Sequence, residues 1–82
     1  MIILDLSARL KKYLKKYNLE KKFLKQKELF EHNPSHPSLN TELLEPKKMK
    51  IYSFRIDKKY RAIFIYAGHN VIEIIDVNLH YT

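Results

Sequence analysis

Lys47-Lys48-Met49-Lys50-Ile51-Tyr52-Ser53-Phe54-Arg55-Ile56-Asp57-Lys58-Lys59-Tyr60-Arg61-Ala62-Ile63-Phe64-Ile65-Tyr66 is the stretch that decides the fold. Two runs rich in aromatic and β-branched residues flank Asp57-Lys58-Lys59, the sequence form of a β-hairpin. Each run carries one arginine, Arg55 and Arg61. A guanidinium inside a half-buried strand is costly unless an anion or a partner compensates it. With a three-residue loop, paired positions sum to 116, so Arg55 faces Arg61 on one side of the sheet. Like charges placed so repel, yet two planar forks of donors side by side suit phosphate oxygens. A two- or four-residue loop breaks this pairing. The structural alternative is that one arginine snorkels to water or pairs with Glu73 or Asp76.

A third strand is expected at Val71–Val77, after a turn at Ala67-Gly68-His69-Asn70 in which Gly68 and Asn70 tolerate positive φ. It is apolar on both faces apart from Glu73 and Asp76, which argues for a central position. The hairpin strands are expected at Ile51–Ile56 and Tyr60–Tyr66. Upstream, Pro46 closes a segment, Leu39–Leu44, whose spacing fits either a helical turn or a short strand. Asn33-Pro34-Ser35-His36-Pro37-Ser38 is a break that no helix crosses.

Before that break, Ser7 reads as the N-cap of a helix over Ala8–Tyr17, with Leu6, Leu10, Tyr13, Leu14 and Tyr17 on one stripe. Asn18 ends it, with the option of capping a second helix from Leu19 to His32, whose narrower stripe is Leu19, Phe23 and Phe30. Ile2–Leu6 fits a short strand. The expected fold class is therefore α+β, ordered (β)ααβββ, with a helical hairpin packed on one face of a small antiparallel sheet.

Composition narrows the function classes. At 82 residues, with 45% hydrophobic content, one Gly and three Pro, a single domain over 1–82 with one core is expected. No cysteine is present, so disulfides and thiolate metal sites are excluded, which fits a reducing compartment. No two histidines have the i, i+4 spacing of a zinc site and no Gly-rich phosphate loop occurs, so neither metal nor cofactor is expected. The opening seven residues are too short and too soon charged for a signal h-region, and no apolar run reaches bilayer length; a cytoplasmic chain without a membrane partner is expected. The net charge of +7 sits in two blocks, residues 9–27 and 47–61, while residues 62–82 carry no Lys or Arg. Such a field favours a polyanion or an acidic partner, or serves solubility. Lys47, Lys48 and Lys50 are candidate phosphate-backbone contacts or a solvated loop. The terminal His80-Tyr81 pairs a group that titrates near neutrality with a ring able to stack on a base, or is an ordinary exposed end.

The series His36-Pro37-Ser38-Leu39, Tyr52-Ser53-Phe54-Arg55-Ile56-Asp57, Tyr60-Arg61-Ala62-Ile63-Phe64, Ile72-Glu73-Ile74 and His80-Tyr81 resembles the RelE/ParE toxin superfamily, over roughly residues 33–82. The closing His-Tyr places the likeness nearest the YoeB-like branch. The resemblance implies a fold like that of microbial ribonucleases and a ribosome-dependent, metal-independent mRNA endonuclease, in which the ribose 2′-OH attacks the adjacent phosphate. It also implies a cognate antitoxin, often acidic, as partner, beside the ribosome and mRNA. By the same resemblance Arg61 is the transition-state arginine, Arg55 its companion, His80 an acid–base group and Tyr81 a substrate-positioning ring. Lys47, Lys48 and Lys50 match only by general position. The YoeB-like general-base glutamate falls close to where this chain reads His36-Pro37-Ser38; the nearest carboxylates, Glu42 and Glu45, lie downstream, and the base stays unassigned: His36 substitutes, His80 does both jobs, or activity is weak. A ParE-like gyrase inhibitor without enzymatic activity, and a binding protein sharing only the fold, remain the alternatives.

Overall fold

The computed structural model describes residues 1–79. In chain order it contains β1 (Ile2–Ile3), α1 (Ala8–Lys16), α2 (Glu20–His32), β2 (Glu42–Leu43), β3 (Tyr52–Arg55), β4 (Tyr60–Gly68) and β5 (Val71–Leu79). Short 3-10 turns occupy Pro37–Leu39 and Lys47–Met49. The strands form one five-stranded sheet in the order β1-β5-β4-β3-β2.

The helical hairpin forms for the reasons its residues supply. The Leu10 N–H donates to Ser7 Oγ at 3.3 Å, capping α1 as its sequence requires. Asn18 ends α1 in the left-handed region at φ 56, letting the Leu19 N–H reach the Leu14 carbonyl at 2.7 Å. The option that Asn18 also caps α2 is not taken: α2 begins after Leu19 with no side-chain cap, because Asn18 is committed to the turn. Leu10 and Leu14 from α1, with Leu19, Phe23 and Phe30 around α2, are buried, while Leu24 stays exposed.

These residues meet the sheet through rings. Phe30 lies 5.2 Å from Phe54 and 5.3 Å from Phe64, centroid to centroid, and all three are almost wholly buried. On β5, Ile63 pairs with Asp76 and Phe64 with Ile74, so Ile75 is an extra, bulged residue. The bulge lets Ile74 and Val77, three positions apart, both face the helices.

Two expectations change. The sheet is mixed rather than antiparallel, because β1 runs parallel to β5 through Ile2↔Val71 and Ile3↔Ile72; a parallel pair needs a long crossover, and everything from α1 to β4 supplies it. The strand expected to be central is interior, but β4 holds the middle. Leu39–Leu44 satisfies both of its readings, with Leu39 closing a 3-10 turn and Glu42–Leu43 forming an edge strand.

Candidate functional site

Because β-strand side chains alternate between faces, the burial of Phe54, Ala62 and Phe64 against the helices turns Ser53, Arg55, Arg61 and Ile63 to the opposite face. The β3–β4 register is Ser53↔Ile63, Phe54↔Ala62 and Arg55↔Arg61, as the three-residue loop requires. The loop is held by Asp57, whose Oδ1 accepts from the Lys59 and Tyr60 N–H groups, both at 2.8 Å.

Arg61 is only 4% exposed. Its Nε donates to Ser53 Oγ at 2.9 Å, a diagonal contact across the ladder, and Nη2 donates to the Asn40 carbonyl. Nη1 is buried and has no partner among the described residues. Burial pushes the Arg61 pKa below its ordinary value; the Glu42 carboxylate opposes that shift and Arg55 adds to it. No carboxylate of the described residues lies within salt-bridge distance of Arg61; Asp76, one of its possible structural partners, is taken by Arg9 at 3.5 Å, and Glu73 is exposed. The guanidinium is thus a fixed, under-compensated cation whose own neighbours cover two of its three nitrogens.

It lies against a shallow concavity of about 280 Å³, lined also by Glu42, Leu44, Ser53, Ile63 and the Asn78–Leu79 end of β5. Glu42 pairs with Ser53 in the β2–β3 ladder, so it shares the face of the arginines. Sequence reasoning left Glu42 without a role. Its signal was the strand reading of Leu39–Leu44, but a two-residue edge strand has no period from which to assign a face.

The remaining candidates are spread out. Lys47, Lys48 and Lys50 are exposed in the loop between β2 and β3 and do not line the concavity. His36 is half-buried and turned inward on its own 3-10 turn, its Nδ1 accepting from the Ser38 N–H at 3.1 Å. His80 and Tyr81 lie outside the described residues; β5 runs as far as Leu79, opposite Tyr60 and next to the Asn78↔Arg61 pair. Among the described residues no group of three or more His, Asp or Glu side chains is placed to hold a metal ion. No helix there is long and apolar enough to cross a membrane.

A YoeB/ParE toxin from Agrobacterium tumefaciens superposes on 98% of this chain and 96% of its own, with a TM-score of 0.70 at 17% identity. The fold is that of the YoeB/ParE toxins. Two structures of YoeB–YefM from Staphylococcus aureus, one described as a heterotetrameric toxin–antitoxin complex, each cover 98% of this chain and 94% of theirs. Their TM-scores are 0.68 and 0.69, at 20% and 22% identity. No protein-family model matches the chain. An uncharacterized protein of Haemophilus influenzae is 51% identical over 37 residues, a match spanning 45% of this chain and 37% of that protein's length.

Proposed function

We propose that the chain is the toxin of a type II toxin–antitoxin pair and cleaves mRNA on the ribosome without a metal. The observation that carries this reading is the buried, under-compensated Arg61 lining a shallow concavity together with Glu42. The fold shared with YoeB/ParE toxins supports it, and the YoeB–YefM complexes support a cognate antitoxin as partner.

In this mechanism Glu42 takes the proton of a ribose 2′-OH, and that oxygen attacks the adjacent phosphorus. The bond to the 5′ oxygen breaks, leaving a 2′,3′-cyclic phosphate and a 5′-OH end. Arg61, aided by the positive field of Arg55, holds the charge that accumulates on the non-bridging oxygens; it is already desolvated and oriented by Ser53 and Asn40, so little reorganisation opposes the step. His80 protonates the departing oxygen and Tyr81 orients the strand, both roles resting on the family resemblance. Lys47, Lys48 and Lys50 serve the phosphates further along.

Induced expression with mapping of mRNA 5′ ends tests the proposal. Wild type is expected to arrest growth and to create new 5′ ends inside translated frames. Arg61→Ala, Glu42→Gln and His80→Ala are each expected to lower cleavage about a hundredfold or more while staying folded. Full toxicity of these variants, or arrest with intact mRNA and DNA-damage signalling, overturns it, the latter in favour of gyrase inhibition.

A further inference from the structure

On the helix-bearing side of the β3–β4 turn lies a second constellation that cleavage does not use. Tyr13 on α1 and Tyr17 at its C-cap, four residues on, meet Tyr60 at the start of β4. The ring centroids are 4.7 Å apart for Tyr13–Tyr17, 5.8 Å for Tyr17–Tyr60 and 6.3 Å for Tyr13–Tyr60. If these rings only closed the end of the core they would be buried, yet Tyr17 is 42% exposed. The Lys16 Nζ stands 5.4 Å from the centre of the Tyr17 ring.

Tyr17 and Tyr60 line an open hollow of about 570 Å³ together with Leu19, Lys22 and the turn residues 57–59. The one carboxylate among its lining residues, Asp57, is occupied: Lys22 Nζ is 3.2 Å away and two backbone N–H groups donate to it. Lys16, Lys58 and Lys59 are exposed and stand around the rings with no carboxylate matched to them in the described ion pairs. The hollow therefore offers aromatic faces at its wall and positive charge at its rim.

We infer that this hollow takes an unstacked base of single-stranded RNA against Tyr17 and Tyr60, with the flanking phosphates on Lys58, Lys59 and Lys16. Ring faces accept any base, and cations to either side track the backbone without reading it. Nearness to the concavity along β4, where Arg61 lines the concavity and the preceding Tyr60 lines the hollow, favours this occupant over an acidic peptide. Arg55↔Arg61 is the last ladder pair before Ile56↔Tyr60 closes the turn. A strand leaving the arginines on one face crosses Lys58 and Lys59 at the tip and meets Tyr60 on the other. That path rests on the proposed RNA reading of the concavity; the affinity of the hollow does not depend on cleavage.

The test uses the full chain and a fluorescent single-stranded RNA of about ten nucleotides, 2′-O-methylated throughout so that it cannot be cut. Anisotropy titrations are run at several salt concentrations. Tyr17→Ala is expected to bind about tenfold more weakly at every salt concentration with the slope unchanged, and Tyr17→Phe to bind as wild type. Lys58→Ala combined with Lys59→Ala is expected to flatten the plot of log affinity against log salt by about 0.7 for each phosphate no longer neutralised. Circular dichroism confirms that the exposed changes leave the fold intact. Wild-type affinity and slope in all variants overturns the inference, as does a Tyr17→Ala loss confined to binding of a polyglutamate peptide, which marks a protein-docking surface instead. Cleavage without any Tyr17 dependence of binding sinks this inference alone. Tyr17-dependent binding without cleavage in the wild type sinks only the nuclease reading.

Discussion

Arg61 couples the two demands on this small sheet. Its guanidinium is almost fully buried, with one nitrogen lacking any partner among the described residues, an arrangement that costs the fold stability. Replacing it with a side chain of similar volume separates stability from activity. Arg61→Met is expected to leave the unfolding free energy unchanged, or to raise it by up to about 2 kcal/mol, while abolishing cleavage. Denaturant titration beside 5′-end mapping checks both halves, and a marked loss of stability would show that the arginine is structural. The arginine pair was legible in the sequence, because one assumption about loop length fixes its register. The burial of Arg61 was not, since it depends on Asn40 and the β2 edge, segments without periodicity.

At the scale of elements, the β3–β4 turn and helix α2 hold the site in place. Burial raises the Asp57 carboxyl, but the Lys59 and Tyr60 N–H groups and Lys22 outweigh it, leaving its pKa below the ordinary carboxylate value. A carboxyl depressed in the folded state stabilises fully above its unfolded pKa of about 3.9, and that contribution fades as pH falls through the folded value. Asp57→Ala is therefore expected to cost about 1–2 kcal/mol at neutral pH. The gap from wild type should close below about pH 4; thermal melts across pH 2–7 measure this, and a gap independent of pH contradicts it. On α2, Gln26 is buried and its Nε2 donates to the Arg55 carbonyl at 2.8 Å, tying the helix to the strand that carries the second arginine. Gln26→Leu leaves that carbonyl unpaired and is expected to cost about 1–3 kcal/mol in denaturant titration. Helix positions and the β4 and β5 strands could be read from periodicity. Gln26 could not, because a polar residue on the Leu19–Phe23–Phe30 stripe announces no partner until the sheet is in place.

Over the whole molecule, the Lys and Arg residues behind the charge of +7 lie in α1, α2 and residues 47–61, while β5 carries none of them. On the proposed reading, such a surface would bind phosphate backbones by releasing counterions. Affinity for ribosomes is expected to fall at least about tenfold when salt is raised fourfold, as measured by co-sedimentation; salt-insensitive binding would place recognition on apolar contacts instead. The fold class and the helical hairpin over the sheet followed from hydrophobic pattern, but the parallel pairing of β1 did not, since two residues carry no record of their distant partner.

That pairing bears on the order in which the chain can complete its sheet. Ile2 finds its place only beside Val71, and the wall of the concavity includes Asn78 and Leu79 of the same late strand. A chain still being made, with β5 not yet emerged, has neither a docked first strand nor a finished site. The first strand and this wall of the concavity are therefore completed together, by one strand far along the chain from β1.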